Sequence, residues 1–256
     1  MKELSVALKA ARKASEICRD FYDTDYTVEL KPDNTPVSEV DKKAEQAIIE
    51  IIKAEFPESS FLGEESGEEK GDGLKWIIDP IDGTKNFIRH LPDFGVSIAL
   101  EKDGQVVLGV ISLPVFGKTY HAAKGQGAFL GEKKLQVSKK KSLHESTVYM
   151  DMSSTFLDKE KNLQVFNDLI NASFHMKSSG AVDALAYIAE GKIDAFICPK
   201  IRAWDVAAGK IVIEEAGGKF TDFNDKPSIY SRQSIASNGL IHQELLDLLG
   251  KSEPYL

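Results

Sequence analysis

Trp76-Ile77-Ile78-Asp79-Pro80-Ile81-Asp82-Gly83-Thr84-Lys85-Asn86-Phe87 sets a β-branched run directly against two aspartates, a glycine and a threonine. Trp76, Ile77 and Ile78 predict a short buried strand, ended by Pro80, which has no N–H to give to a sheet. Asp82-Gly83 is turn chemistry, because glycine takes positive φ without steric cost. Such a turn holds Asp79 and Asp82 close, with the Ile81 carbonyl between them. Hard divalent cations take oxygen ligands of these kinds. A turn stabilised by Asp82 and Thr84, with no chemistry, accounts for the stretch equally well.

The chain of 256 residues is long enough for a full core, as one large domain or two small ones. Its 42% hydrophobic and 28% charged residues are those of a soluble globular protein. Lys and Arg total 32 against 40 Asp and Glu, a net charge of −8, which argues against a nucleic-acid surface as the main business. Cys18 and Cys198 lie far apart and read as buried thiols of a reducing compartment. The first residues, Met1-Lys2-Glu3-Leu4-Ser5-Val6, carry no signal-peptide core, and no apolar run of about eighteen residues occurs, so no membrane span is expected. These features point to a cytoplasmic protein.

Outward from the opening stretch, Leu4, Ala7, Leu8, Ala11, Ala14, Ile17, Cys18 and Phe21 recur at helical spacing. Thr27 to Leu30 alternates like an edge strand. A second helix carries Ala44, Ala47, Ile48, Ile51 and Ile52, and Ser38 and Asp41 at its start have the spacing of a capping box. By spacing alone, Asp41 is a capping carboxylate. Phe61-Leu62-Gly63-Glu64-Glu65-Ser66 follows, and then an acidic segment, 67–73, that reads as a solvated loop. Phe94 to Leu100 and Val106 to Leu113 read as strands joined by an Asp103-Gly104 hairpin turn, with further strands at 119–123 and 128–130. This is an antiparallel sheet flanked by the first two helices.

The run Ser138-Lys139-Lys140-Lys141-Ser142 reads as a solvated boundary between a part at 1–140 and a part at 141–256. Beyond it the pattern predicts strands at 147–150, 193–198, 219–222 and 235–237. Helices are predicted at 159–170, 182–190 and 204–216, with a last helix capped by Asn238.

Glu64, Glu65, Asp79 and Asp82 fall within nineteen positions. Asp205 stands alone in the first turn of an apolar helix, where the helix dipole alone would favour an acid. Small residues after it, Ala207, Ala208 and Gly209, allow close packing. Like-charged pairs at about 4 Å cost roughly 1–4 kcal/mol in water-like to surface-like surroundings, so carboxylates that meet call for a cation. The five histidines have no ligand spacing, which disfavours zinc and favours Mg²⁺, with Mn²⁺ as a substitute. Neither a phosphate-binding glycine loop nor a Gly-x-Ser-x-Gly turn is present.

Gly63-Glu64-Glu65-Ser66, the Asp79-Pro80-Ile81-Asp82-Gly83-Thr84 core, Trp204-Asp205-Val206-Ala207-Ala208-Gly209 and Glu215-Ala216-Gly217-Gly218 together resemble the inositol monophosphatase family. The resemblance runs in order over nearly the whole chain. It implies an α/β protein built as a layered α/β/α/β/α sandwich, with Mg²⁺-dependent hydrolysis of small phosphate monoesters by water. It also implies a homodimer and inhibition by Li⁺. By matching positions, Glu64, Asp79, the Ile81 carbonyl and Thr84 would surround one metal and its water. Asp79, Asp82 and Asp205 would hold a second, and Glu64 a third through water.

Glu64 and Thr84 would then be catalytic, Asp41 would hydrogen-bond the threonine, and the N–H groups of Gly83 and Thr84 would receive phosphate oxygens. Gly180, Ala181 and Asp205 would face the substrate. Cys198 falls where inositol-specific members often place a glutamate that binds ring hydroxyls, and Lys31 matches the family's basic residue only loosely. Inositol 1-phosphate is the expected substrate. Histidinol phosphate and fructose 1,6-bisphosphate are alternatives, and a metal-binding interaction protein without catalysis is the rival from another class.

Overall fold

The computed structural model describes residues 1–152 and 159–250. Two helices, α1 (Lys2–Phe21) and α2 (Glu39–Glu55), pack on one face of an eight-stranded sheet. α1 lays Val6, Ala7, Ala10, Ala11, Ala14 and Cys18 inward, and these small side chains let it lie close to its neighbours. Between the helices runs a hairpin of β1 (Val28–Leu30) and β2 (Pro36–Ser38).

The large sheet contains β3 (Ser60–Gly63), β4 (Gly67–Glu69), β5 (Lys75–Asp82), β6 (Gly95–Lys102), β7 (Gln105–Leu113), β8 (Lys118–Ala123), β9 (Gly127–Leu130) and β10 (Lys133–Lys134). Their order is β10-β9-β8-β7-β6-β5-β3-β4. The sheet is antiparallel as expected except at β3 and β5, which run parallel. Asp103 and Gly104 both take positive φ (52° and 73°), which is what a two-residue turn between twisted strands demands. The acidic segment after Gly67 is not wholly a loop. Gly67–Glu69 adds an edge strand to β3, and Lys53 reaches Glu69 at 2.7 Å and offsets its charge.

A second, mixed sheet has the order β12-β11-β13-β15-β14, from β11 (Thr147–Met150), β12 (His175–Ser178), β13 (Ala195–Cys198), β14 (Lys219–Thr221) and β15 (Ser234–Ser237). β11 runs parallel to β12 and β13, and the remaining pairs are antiparallel. Residues 138–142 lie between the last strand of the first sheet and the first of the second. β12 carries no alternation because it is an outer strand, exposed along most of its length.

Helices α5 (Ala181–Ala189) and α6 (Ala203–Glu215) fill the space between the two sheets. α4 (Glu160–Ala172) and α7 (His242–Leu249) cover the outer face of the second. The order of layers is therefore α/β/α/β/α. The largest core cluster joins both sheets through α5 and α6. A Cβ on Gly209 would lie 2.3 Å from Leu185 Cδ1, so α6 meets α5 closer than any side chain permits. Gly209→Val is expected to destabilise the chain by about 1–3 kcal/mol through overpacking. Urea melts would register this as a lower midpoint at unchanged slope.

Asn238 does not cap the last helix. Its Oδ1 accepts the N–H groups of Leu240 (3.0 Å) and Ile241 (3.2 Å) in the turn before, and α7 starts at His242. His242 is buried, with Nε2 2.8 Å from Thr221 Oγ1 and Nδ1 2.8 Å from Ser237 Oγ. Thr221 gives its proton to the Asp222 carbonyl, so Nε2 carries the imidazole hydrogen and Nδ1 accepts from Ser237.

Burial first, then the nearby Lys219 charge, lower the His242 pKa to about 4. The unfolded imidazole protonates near 6.5, so its contribution is complete above that pH. It is lost as pH falls toward 4. At about 1.4 kcal/mol per unit, roughly 3 kcal/mol is lost across this window. Melts at pH 7 and pH 4.5 should show a smaller acid loss in His242→Gln than in the natural chain.

Candidate active site

The opening stretch does more than end a strand. β5 continues through Pro80 to Asp82, and its register against β6 shifts from Asp79–Ser97 to Asp82–Gly95. Pro80 and Ile81 thus stand opposite Val96 alone, a bulge that asks no N–H of the proline. Residues three apart on a regular strand point to opposite faces. The bulge removes that opposition, and Asp79 and Asp82 turn to the same side.

Gly83 follows with φ +91°, and a Cβ there would sit 3.0 Å from the Asp93 carbonyl oxygen and 3.2 Å from Phe94 Cβ. Any side chain would strain the backbone and crowd the turn that leads into the short helix α3 (Thr84–Phe87).

Thr84 is buried, and its hydroxyl lies 2.9 Å from Asp41 Oδ1 and 3.0 Å from the Ile81 carbonyl oxygen. Asp41 divides its two oxygens. Oδ2 accepts from the Ser38 N–H (2.8 Å) and hydroxyl (2.5 Å) and closes the capping box of α2, while Oδ1 faces Thr84. Capping and threonine binding are therefore both true of Asp41. Burial raises its pKa, against the hydrogen bonds that lower it.

Asp79, Asp82 and Asp205 offer one carboxylate oxygen each, all within 4.8 Å of one another. Asp205 also caps α6, accepting the Arg202 N–H at 2.8 Å, and Asp82 accepts the Val182 N–H at 2.6 Å from the first turn of α5. The three acids thus come from two elements, β5 and α6, and each is held by a backbone donor, since Asp79 accepts the Ile81 N–H at 3.0 Å. Burial, then neighbouring carboxylates, raise the pKa of Asp79 and Asp82. Burial raises that of Asp205 to about 7, opposed by its backbone bond.

Glu64 lies outside this trio. Its Oε1 meets Lys31 Nζ at 2.9 Å, and Lys31 bonds Glu65 at 2.7 Å as well. Burial disfavours the Lys31 ammonium, but its bonds to Glu65 and Glu64 hold its pKa above the ordinary lysine value. Burial lifts Glu65 to about 7. Lys31 therefore matters more than its loose sequence match suggested.

Glu45 is a second residue that sequence reasoning passed over. Buried on the inner face of α2, it accepts the N–H groups of Glu65 (3.1 Å) and Ser66 (2.7 Å) and shapes the turn that presents Glu64. Its only sequence signal is a charge on an apolar helix face.

Glu64, Asp79, Ile81, Asp82, Gly83, Thr84, Gly180, Ala181 and Asp205 all line one cavity of about 520 Å³. Asp41 stands behind Thr84. Lys85, Asp93, Asp151, Lys177 and Lys200 are among the other residues of the wall. Cys198 does not line it. Its thiol is buried beside Asp151 Oδ2 (3.5 Å) and the Lys200 carbonyl oxygen (3.3 Å), and burial holds it protonated. Both cysteines are free and buried.

The same order of motifs and the same layers occur in known proteins. Residues 2–253 match the model of the inositol monophosphatase family. The chain belongs to that family. It is 36% identical to a fructose-1,6-bisphosphatase/inositol-1-monophosphatase of Thermotoga maritima, over 98% of this chain and 97% of that one. It is also 36% identical to a histidinol-phosphatase of Chlorobaculum parvum, over 98% of each chain. The extragenic suppressor protein suhB of Bartonella henselae superposes with a TM-score of 0.92 at 32% identity, covering 97% of this chain and 98% of that one.

This is therefore an inositol monophosphatase-family phosphatase, a kind of enzyme that acts on small phosphorylated substrates and generally uses Mg²⁺. No helix among the described residues is long and apolar enough to cross a membrane.

Proposed function

We propose that this chain hydrolyses the phosphate monoester of a polyol, of the inositol 1-phosphate class, with water and divalent cations and without a covalent intermediate. The observation that carries this reading is the convergence of Asp79, Asp82 and Asp205 beside the Thr84–Asp41 pair. The donor set fits Mg²⁺, because it is wholly oxygen, and three acids within 4.8 Å repel one another unless a cation sits among them. Asp79, Asp82, Asp205, Glu64 and the Ile81 carbonyl would hold it.

When bound, the cation supplies a more acidic water and neutralises charge on the phosphoryl group. The chain's own residues do the rest. Asp41 draws on the Thr84 hydroxyl, and Thr84 with Glu64 orients the attacking water and accepts its proton. The N–H groups of Gly83 and Thr84 fix the phosphate oxygens, and Gly180, Ala181 and Asp205 face the alcohol part. The cavity draws on both halves, 1–140 and 141–256. A homodimer and inhibition by Li⁺ belong to the same reading.

A second substrate reading has its own support. Cys198 leaves the ring-binding glutamate position without an acid, whereas Lys85, Lys177 and Lys200 line the wall. Three ammonium groups suit a second anionic group, as in fructose 1,6-bisphosphate. Phosphate release from inositol 1-phosphate, fructose 1,6-bisphosphate and histidinol phosphate, each with Mg²⁺, distinguishes the readings. Turnover is expected on the first. Faster turnover on the bisphosphate would transfer the assignment to it, and release from none would overturn the proposal.

A further inference from the structure

A second cavity, about 510 Å³, opens between α1 and the strands β7 and β8, and shares no lining residue with the first. Lys9, Arg12 and Arg19 line it, together with Ser5, Ser112 and Thr119, and among the described residues no carboxylate does. On a helix rising about 1.5 Å per residue, Lys9 and Arg12 are about 4.5 Å apart along the axis, and Arg12 and Arg19 about 10.5 Å. The steps of three and seven residues keep all three on one face.

Among the described residues, none of the three cations makes an ion pair, a hydrogen bond or a ring contact. Glu16, four residues beyond Arg12, makes no ion pair with it. Glu55, whose carboxylate feels the Lys9 charge, is itself paired with Lys2 at 2.9 Å. In a chain of net charge −8, three unpaired cations around one hollow form a local reversal of sign.

The wall of the hollow is polar as well. Ser15 and Ser112 are both more than nine-tenths buried, with hydroxyl oxygens 2.8 Å apart, and Ser112 lies 3.3 Å from Thr119 Oγ1. α1 otherwise meets the sheet through alanines and other small or aliphatic side chains. A row of hydroxyls ending under three cations supplies rotatable donors for oxygen atoms held by the guanidinium forks.

We propose that this cavity binds a diphosphate group, one phosphate toward Lys9 and Arg12 and the other toward Arg19 and Thr119. Its volume also has room for a nucleoside on that diphosphate. The site is separate from the phosphatase cavity and does not depend on the reaction assigned to it.

Isothermal titration with pyrophosphate and with ADP, in EDTA at about 0.15 M salt, tests this. EDTA removes divalent cations, which both anions would otherwise chelate. One saturable site per chain is expected for at least one of them, with Kd below about 1 mM. Affinity should fall at least about tenfold in Arg12→Glu/Arg19→Glu. The milder pair Arg12→Gln/Arg19→Gln gives the same readout should the charge reversal disturb folding. Tighter binding of ADP would place the base in the hollow, and equal binding would make the diphosphate alone the ligand. No saturation by either anion, or an undiminished affinity in both double variants, overturns the proposal.

Discussion

Thr84→Ala is expected to lower phosphate release by about 10²–10⁴-fold, the scale of lost acid–base assistance. The melting curve should change far less. The hydroxyl lies between Asp41 Oδ1 and the Ile81 carbonyl oxygen, and it can give its one proton to only one of them at a time. When that proton goes to Asp41, a lone pair remains on the hydroxyl to accept from the attacking water of the proposed reaction. Alanine removes the relay and leaves the cavity wall nearly the same shape. Thr84→Ser should retain most activity, since serine keeps the oxygen, whereas Asp41→Asn should lose activity with Thr84→Ala and also weaken the start of α2. A Thr84→Ala protein with unchanged turnover would contradict the role given to Thr84.

Asp82→Asn separates binding from folding in the opposite direction. It is expected to abolish most activity and yet to raise the melting temperature of the metal-free protein. Removing one charge from the trio relieves on the order of 1–4 kcal/mol of repulsion. At about 2–4 °C per kcal/mol for a chain of this size, that is a rise of several degrees. Asn keeps an oxygen for the Val182 N–H, so the bond from α5 survives.

The pH dependence follows from the raised carboxylate values. Asp82 and its neighbours hold protons in the folded state at pH values where the unfolded chain has released them. The metal-free fold is therefore penalised progressively as pH rises above the ordinary carboxylate range near 4, toward about 7 for Asp205. The advantage of Asp82→Asn should grow over that window and shrink below it. His242 titrates with the opposite sign, so the comparison is variant against natural chain at each pH, read by thermal melting in EDTA. A lower melting temperature in the variant at pH 7.5 would mean that the three acids do not strain one another.

Much of this architecture is legible in local pattern. The alternations of β6 and β7 and the Asp103-Gly104 turn are written in adjacent residues, as are the small inward residues of α1. Motif order extends that reading to the trio, because Asp79, Asp82 and Asp205 each sit in a distinctive local setting. What escapes the sequence is set by partners from other elements. Lys31 acquires its importance only because the segment between β1 and β2 brings it over Glu64 and Glu65.

Glu45 reads as an error in an apolar face until the turn at 64–66 is placed upon it. By sequence Pro80 reads as a terminator because a proline breaks a ladder, yet in a bulge it breaks nothing, and the bulge is what lets the two aspartates meet. The strand β4 was hidden by its acidic composition, which Lys53 offsets from α2. β12 was hidden because an exposed outer strand buries no regular face.

Specificity is the least local property of all. Cys198 puts no acid at its own position, and the wall nearby is lined by Lys177, Lys200 and Asp151, which arrive from the ends of β11, β12 and β13. In the proposed reaction the turn at 79–84 and the helix start at Asp205 would face the phosphate, and the far wall the alcohol.

The most direct test of the metal-centred account is phosphate release from inositol 1-phosphate and fructose 1,6-bisphosphate as Mg²⁺ is titrated into EDTA-treated protein. Saturable activation from a negligible baseline is expected on at least one substrate, and its loss in Asp82→Asn. Release that proceeds equally in EDTA, or that survives undiminished in Asp82→Asn, would contradict the assignment of Asp79, Asp82 and Asp205 as the seat of the chemistry.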